Sequence, residues 1–198
     1  MGLSLALSDS LTEVVGMTGD ATEALRLIAR LVPDAVLLDI RLGSFDGLWA
    51  LEQIRVDWPD LPVVLLSGYD NPTYMARAIA LGASDYLLKN SSRDCILESL
   101  KRSVQGLPAS SQSQLERVRR SMQSANSLPE DLTDLSLTRR ELQVLRHIGL
   151  GLSNKEIGQS LRISVETVKE HVQNLLRKTK ASDRTDAAVK AIRWGLVE

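Results

Sequence analysis

Three short apolar runs alternate with helical patterns and constrain how the first hundred residues can fold. Continuous apolar runs of this length are typical of strands buried on both faces of a sheet. The runs are AVLLD (35–39), VVLLS (63–67) and DYLLK (85–89), and VVGM (14–17) is predicted as a further strand. Helices are predicted over 21–31, 48–58, 72–81 and 92–104. The alternation predicts a doubly wound α/β domain, in which helices cover both faces of a parallel sheet.

A polar residue ends each of the three buried runs: Asp39, Ser67 and Lys89. In open parallel sheets, ligands bind beyond the carboxyl ends of the strands. A carboxylate, a hydroxyl and an ammonium at one edge can act together on a phosphoryl group: the carboxylate attacks phosphorus, the ammonium neutralises charge and the hydroxyl bonds an oxygen. Any one of the three, taken alone, is more often an ordinary surface residue at a strand end.

Charge is distributed unevenly along the chain. Residues 1–104 carry 9 Lys/Arg and 14 Asp/Glu, whereas residues 137–198 carry 12 and 7. A basic half joined to an acidic half is a candidate for nucleic-acid binding, although chance variation in surface charge would give the same imbalance. The single cysteine excludes an intramolecular disulfide and a cysteine-based zinc site. No apolar run approaches the ~20 residues of a membrane span, so a cytoplasmic protein is expected.

The composition changes at Gln105, where a serine-rich stretch with Gly106, Pro108 and Pro129 begins. Such a stretch is typical of a linker. Within it, Leu115, Val118 and Met122 recur at helical spacing and indicate one short helix. The predicted organisation is therefore a domain at 1–104, a linker at 105–136 and a second domain at 137–198.

Four helices are predicted in the second domain. Thr138–Glu141 and Ser153–Glu156 both have the capping-box pattern and open the first two. A short second helix, a tight turn and a longer third helix make a helix-turn-helix pattern. On the third helix Lys169, Glu170 and Gln173 share a polar face opposite an apolar one, as a helix in the DNA major groove requires. Periodicity alone would equally describe an ordinary amphipathic surface helix.

The first domain contains the segments PDAVLLDIRLGSFDGLWAL, VVLLSGYD and GASDYLLKN. Through these segments it resembles the receiver domains of response regulators, with Gly43 where that family usually has proline. It implies a flavodoxin-like fold, phosphorylation of Asp39 by a partner sensor histidine kinase, and Mg²⁺ as the ion needed for that phosphorylation. It also implies that Ser67 and Tyr86 hold the hydroxyl and aromatic switch positions and that Lys89 is the family's phosphoryl-site lysine.

One departure from the receiver pattern concerns the first strand and the two adjacent acids that end it. Gly2–Leu7 already resembles the second half of the first helix, and Asp9 falls past that helix. Asp39 alone would bind Mg²⁺ weakly, so the ion is doubtful for this chain. A missing strand between VVGM and AVLLD would leave a gap of roughly 10 Å in mid-sheet. We therefore expect a receiver truncated at its N-terminus, within a chain shorter than the natural one; the alternative is a degenerate receiver that no longer takes phosphate.

The second domain strongly resembles the LuxR-type helix-turn-helix of the NarL/FixJ response regulators, through LTRRELQVLRHIGLGLSNKEIGQSLRISVETVKEHVQNLLRKTKASDRTDAA. The resemblance implies that Lys169, Glu170 and Gln173 face the bases, with Glu170 able to accept from cytosine N4. It places the following residues for phosphate contacts: Ser164, Thr167, Asn154, Lys155, Asn174 and Arg177.

Together the two resemblances imply a two-component response regulator that binds double-stranded DNA as a homodimer and is switched by phosphorylation at Asp39. We would not class it as an enzyme, because its chemistry is limited to accepting and losing phosphate. One rival is a DNA-binding regulator whose degenerate receiver serves only for dimerisation. A second is a protein-binding module in which the helix-turn-helix contacts RNA polymerase, which is a further candidate partner.

Overall fold

The computed structural model describes residues 12–42, 45–123 and 135–197. The chain forms two compact units. Unit 1 comprises Met1–Asp70 and Leu81–Glu116, and unit 2 comprises Asn71–Ala80 and Arg117–Glu198. The predicted boundaries at 104 and 137 stay predictions. Three features named from the sequence, the Gly2–Leu7 segment, Asp9 and Gly43, lie outside the described residues.

A parallel three-stranded sheet forms the centre of unit 1. The strands of the unit are β1 (Val36–Asp39), β2 (Arg41–Leu42), β3 (Phe45–Asp46), β4 (Val63–Ser67) and β5 (Asp85–Leu88), and the sheet has the order β1-β4-β5. The register pairs Asp39 with Leu66 and Ser67 with Leu88, so the strands end at one edge. The three strands predicted from the apolar runs are confirmed. The antiparallel pair β2–β3 was not predicted, because two residues on each side leave no periodic pattern.

The strand predicted at VVGM (14–17) is wrong: residues 13–20 carry no helix or strand. Val15 is 52% exposed and Met17 is 61% exposed, whereas Val14 packs against the core formed by β4, β5 and a neighbouring helix. A strand is stable only where its backbone N–H and C=O groups pair with a neighbour. Among the described residues no strand pairs with 14–17, so Val14 packs against the core without joining the sheet.

Three helices accompany this sheet within unit 1, as the apolar periodicity predicts. They are α1 (Ala21–Leu31) and α2 (Gly47–Asp57), followed after α3 (Pro72–Ala80) by α4 (Arg93–Val104). Asp20, Asp46 and Ser92 cap the starts of α1, α2 and α4 by accepting backbone N–H groups. Helix α2 contributes Leu48, Leu51 and Ile54 to the core, all at most 1% exposed.

Unit 2 contains the predicted bundle of helices and also α3. Its further helices are α5 (Gln114–Gln123), α6 (Arg139–Gly149), α7 (Asn154–Leu161), α8 (Val165–Thr179) and α9 (Arg184–Arg193), with the first residues of α5 belonging to unit 1. The short linker helix and the four helices of the second domain are thus confirmed. Both predicted capping boxes are formed, at the starts of α6 and α7. Ala76 and Ala80 of α3 join the apolar core of this unit.

A glycine sets the tight turn between α7 and α8. An added Cβ at Gly158 would lie 2.8 Å from the Ile163 carbonyl oxygen, closer than real Cβ contacts permit. The turn itself passes through Arg162, which takes the left-handed conformation with φ 53°. Glycine at 158 therefore lets the chain fold closely back and fixes where α8 begins, after its N-cap Ser164.

Candidate phosphoacceptor site and nucleic-acid interface

Asp39 and Lys89 meet at the carboxyl edge of the sheet. The Lys89 Nζ lies 2.5 Å from Asp39 Oδ2, and the Arg41 backbone N–H donates to Asp39 Oδ1 over 2.9 Å. The Asp39 side chain is 29% exposed, which leaves it open to a reactant from solvent. The two residues come together because β1 and β5 flank β4 in parallel and end at the same level. The pair can present a carboxylate oxygen with a cation beside it.

The other two predicted receiver residues, Ser67 and Tyr86, converge on a backbone group rather than on Asp39. Ser67 Oγ donates to the Tyr69 carbonyl oxygen and accepts from the Tyr69 N–H, both over 3.0 Å. The Tyr86 hydroxyl donates to the same carbonyl oxygen over 2.9 Å. Ser67 and Tyr86 are buried, while Tyr69 is 62% exposed. A change at either hydroxyl therefore acts first on the segment that follows β4.

The described residues do not form a magnesium site. No group of three acidic, histidine or cysteine residues lies close enough to hold a metal ion within the ranges that the structure describes. Asp39 contributes one carboxylate, and its two oxygens already receive Lys89 and a backbone N–H. Mg²⁺ favours near-octahedral oxygen coordination, which one engaged carboxylate does not supply.

Helix α8 presents the predicted base-facing residues to solvent. Lys169, Glu170 and Gln173 are exposed, and the opposite side of the helix buries Val168 and Leu175. The Lys169 Nζ lies 3.9 Å from Glu166 Oε1, one turn before it. An exposed ion pair of this length is weak, so the ammonium can leave it for another partner. The arrangement offers a donor, an acceptor and an amide on one helical face.

The residues predicted to contact phosphates differ in whether their polar groups are already hydrogen-bonded within the protein. Ser164 and Thr167 hydrogen-bond each other at the start of α8, where backbone N–H groups favour an anion. The Arg177 guanidinium donates to Asn174 Oδ1 over 3.2 Å. Lys155 is exposed at the start of α7. Asn154 is held from another helix rather than from its own: its amide oxygen accepts from the Arg184 guanidinium over 2.8 Å, 30 residues along the chain.

Sequence patterns did not single out Arg184. Its guanidinium joins the start of α7 to the start of α9, donating to Asn154 and to the Leu152 carbonyl oxygen. Burial lowers the pKa of Arg184 from its ordinary value. The contact spans 30 residues along the chain, so no local signal could have revealed it.

A partly buried ion pair also fixes the far end of α8. The Lys178 ammonium donates to Glu141 Oε2 over 2.7 Å. Burial opposes ionisation of Glu141, yet hydrogen bonds from Lys178 and Thr138 outweigh it and lower its pKa. Glu141 was visible in the sequence as part of a capping box, whereas Lys178 gave no signal. The pair holds the end of α8 against the start of α6.

Comparison with known proteins decides the family. Residues 1–101 match the family model of the response regulator receiver domain, and residues 135–191 match that of bacterial regulatory proteins of the luxR family. The chain belongs to the NarL/FixJ family of response regulators. This NarL/FixJ-family chain is 38% identical over 189 residues to the transcriptional regulatory protein LiaR of Bacillus subtilis, covering 93% of the chain and 87% of LiaR.

The chain is also similar to two further response regulators. The response regulator protein VraR of Staphylococcus saprophyticus is 33% identical over 199 residues, which covers the whole chain and 93% of VraR. The signal receiver domain of the response regulator NarL from Mycobacterium tuberculosis is 35% identical, with a TM-score of 0.50 over 53% of this chain and 86% of that one.

In the described parts of the chain, no helix is both long and apolar enough to cross a membrane.

Proposed function

We propose that this response regulator is a transcription regulator whose binding to double-stranded DNA is switched by phosphorylation of Asp39. The observation that carries the proposal is the Asp39–Lys89 pair at the sheet edge, 2.5 Å apart, in a chain whose α8 exposes a polar face. A sensor histidine kinase is the phosphoryl source. The protein acts as a regulator rather than as an enzyme, and it works in the cytoplasm, where bacterial DNA lies.

The chemistry proposed for Asp39 is a single phosphoryl transfer. A carboxylate oxygen of Asp39 bonds to phosphorus while the bond from phosphorus to the kinase histidine nitrogen breaks, and that nitrogen keeps the electron pair. The Lys89 ammonium, already beside Asp39, neutralises charge on the phosphoryl oxygens. Ser67 could donate to such an oxygen only after leaving the Tyr69 carbonyl. Mg²⁺ stays an expectation from the family, because Asp39 is the one predicted ligand among the described residues.

Incubation with acetyl phosphate and Mg²⁺ should add one base-labile phosphoryl group to the chain, detected by intact mass. Replacing Asp39 by asparagine should abolish the added mass, because an amide oxygen is not a nucleophile of this kind. Asp34→Asn is the matched control, since Asp34 is exposed just before the opposite end of β1. Labelling of Asp39→Asn at the rate of the parent would contradict the assignment, and no labelling of the parent would favour the phosphorylation-independent alternative.

For the nucleic-acid half, we propose that α8 lies in the major groove. Lys169, Glu170 and Gln173 are then the base-reading residues, and their exposure on one face supports this role. The phosphate contacts come from Ser164, Thr167, Lys155, Asn174, Arg177 and Asn154, the last only if its bond to Arg184 is exchanged. Two copies of unit 2 on inverted half-sites make the homodimer, and RNA polymerase is a further partner of the DNA-bound form.

Lys169→Ala should weaken binding to a specific operator by about 1–3 kcal/mol, the usual value of one good base contact. The operator is first selected from random duplexes with the full chain, and affinity is then measured by fluorescence anisotropy at several salt concentrations. Arg193→Ala, which removes one exposed positive charge from α9, is the matched control and should cost much less. Equal affinities for the parent and Lys169→Ala would favour a protein-binding role for the helix-turn-helix instead.

A further inference from the structure

The segment between α4 and α5 is fastened to unit 1 rather than free. We call residues 107–116 the strap. The Arg102 guanidinium donates to the Pro108 carbonyl oxygen over 3.0 and 3.2 Å. Further along, the Ser113 hydroxyl donates to Asp85 Oδ1 over 2.8 Å, and Leu115 is fully buried. A serine-rich linker that behaved as random coil would make none of these contacts.

Asp85 explains why the strap docks where it does. Its carboxylate, at the start of β5, is 3% exposed, so hydrogen-bond donors must satisfy it. Three do so: the Ser99 hydroxyl over 2.7 Å, the Tyr86 N–H over 2.8 Å and the Ser113 hydroxyl. The third donor comes from the strap. Lifting the strap therefore removes the Ser113 donor from the buried Asp85 carboxylate. The cost of losing that hydrogen bond favours the docked state.

A second contact ties the strap to the segment that follows β4. The Gln114 side-chain amide donates to Asp70 Oδ2 over 3.0 Å. Asp70 follows Tyr69, whose carbonyl oxygen receives both the Ser67 and the Tyr86 hydroxyls. The position of Asp70 thus depends on the hydroxyls of Ser67 and Tyr86, for which the resemblance to receiver domains implies switch roles. The strap contacts Asp85 at the start of β5 and Asp70 beyond the end of β4.

We infer that the strap is a latch on unit 1, docked while Ser67 holds Tyr69 and released when Ser67 does not. The inference rests on the proposed function, in which a phosphoryl group on Asp39 draws the Ser67 hydroxyl away. Tyr69 then loses one of its two donors at the carbonyl and the acceptor of its N–H. Asp70 moves with it and the Gln114 contact breaks, so that of the contacts named above the strap keeps those to Asp85 and Arg102.

Hydrogen exchange of the full chain, followed by mass spectrometry of peptides, tests the docking directly. Ser113→Ala and Gln114→Ala should each speed exchange within residues 107–116 by about three- to tenfold, as expected for the loss of one hydrogen bond. Gln112→Ala is the matched control, because Gln112 is exposed within the same strap. Equal exchange in all three variants would overturn the inference, since the strap would then not depend on these contacts.

Ser67→Ala tests the coupling without any phosphate. It should speed exchange in the strap by a similar factor while leaving the peptides of α1 and β1 unchanged. Unchanged strap exchange, or an equal increase across unit 1, would overturn the coupling. Phosphorylated parent chain should behave like Ser67→Ala. If the parent gains no phosphoryl group, the proposed function is wrong, and Ser67→Ala still tests the latch. If the parent is phosphorylated and strap exchange is not faster, only the latch is wrong.

Discussion

Replacing Gly47 by alanine should destabilise unit 1 by about 3 kcal/mol, at the upper end of the usual cost of overpacking. Gly47 is buried at the first position of α2, and a Cβ there would overlap the Asp39 carbonyl oxygen and lie 2.8 Å from Ile40 Cα. Both obstacles are backbone atoms, which no side-chain rotation can move away. The backbone N–H of Gly47 also donates to the Ile40 carbonyl oxygen over 2.7 Å, so α2 cannot retreat without losing that bond.

The same substitution should also slow phosphorylation, because the residue that must shift is the proposed phosphoacceptor itself. Urea unfolding followed by circular dichroism measures the first effect, with a midpoint expected about 1–2 M lower. Labelling by acetyl phosphate measures the second. Gly19→Ala is the matched control, since a Cβ at Gly19 meets nothing within 4 Å. A Gly47→Ala variant with the midpoint and the labelling rate of the parent would contradict the close packing of α2 on β1.

Acid should destabilise unit 2 through His147, which is completely buried. Burial is the main cause that lowers the pKa of His147 to about 4 from its ordinary 6.5. Its Nδ1 lies 2.7 Å from the Gln143 carbonyl oxygen and its Nε2 2.9 Å from Ser160 Oγ. A carbonyl only accepts, so Nδ1 carries the proton of the neutral ring and Nε2 accepts from Ser160. Protonation would put two donors and a charge into a site built for the neutral ring.

The sign of the pH effect follows from the lowered pKa. The unfolded chain binds a proton below pH 6.5 and the folded chain only near pH 4, so the free energy of unfolding falls as pH falls between these values. The fall is about 1.4 kcal/mol per pH unit, or roughly 2 kcal/mol at pH 5 relative to neutral pH. Urea unfolding at pH 7 and pH 5 measures it, with the exchange rates of α6 and α8 peptides reporting on unit 2.

His147→Gln should show a smaller loss of stability between pH 7 and pH 5 than the parent, whatever its stability at pH 7. His171→Gln is the matched control: it removes the chain's other histidine, half-buried on α8, and should keep the parent's acid sensitivity because His147 is still present. Identical pH dependence in the parent and in His147→Gln would mean that His147 is not the group responsible. Glu141 acts in the same direction at lower pH, because its pKa is lowered in the fold.

The sequence predicts those elements whose stability depends on a local pattern of residues. Apolar runs predict β1, β4 and β5, and capping residues predict the starts of α6 and α7, because a strand buried on both faces and a capped helix each need a particular local pattern. The meeting of Asp39 with Lys89 was also predictable, since parallel strands end at one edge. That residues 14–17 form no strand could not be predicted, because a strand there would need a partner strand, and a local pattern does not report whether one is present.

The rest of the site depends on contacts between distant parts of the chain. Tyr86 lies 17 residues from Tyr69 along the chain, so no local signal reveals that its hydroxyl meets that of Ser67 at the Tyr69 carbonyl oxygen. The resemblance to LuxR-type helix-turn-helix domains implied a phosphate contact for Asn154, yet its amide oxygen accepts from Arg184, 30 residues away. The strap escaped prediction for a similar reason: its composition is typical of a flexible linker, and its order comes from carboxylates on unit 1.

Any minimal DNA-binding fragment of this protein has to extend through α9. The Arg184 guanidinium, at the first position of that helix, donates to the Leu152 carbonyl oxygen and to the Asn154 amide oxygen at the start of α7. A fragment cut after α8 would leave both acceptors without this donor and would remove the buried methyl groups of Ala187 and Ala191 from the core. Helix α9 is therefore part of the scaffold that holds the start of α7 in place.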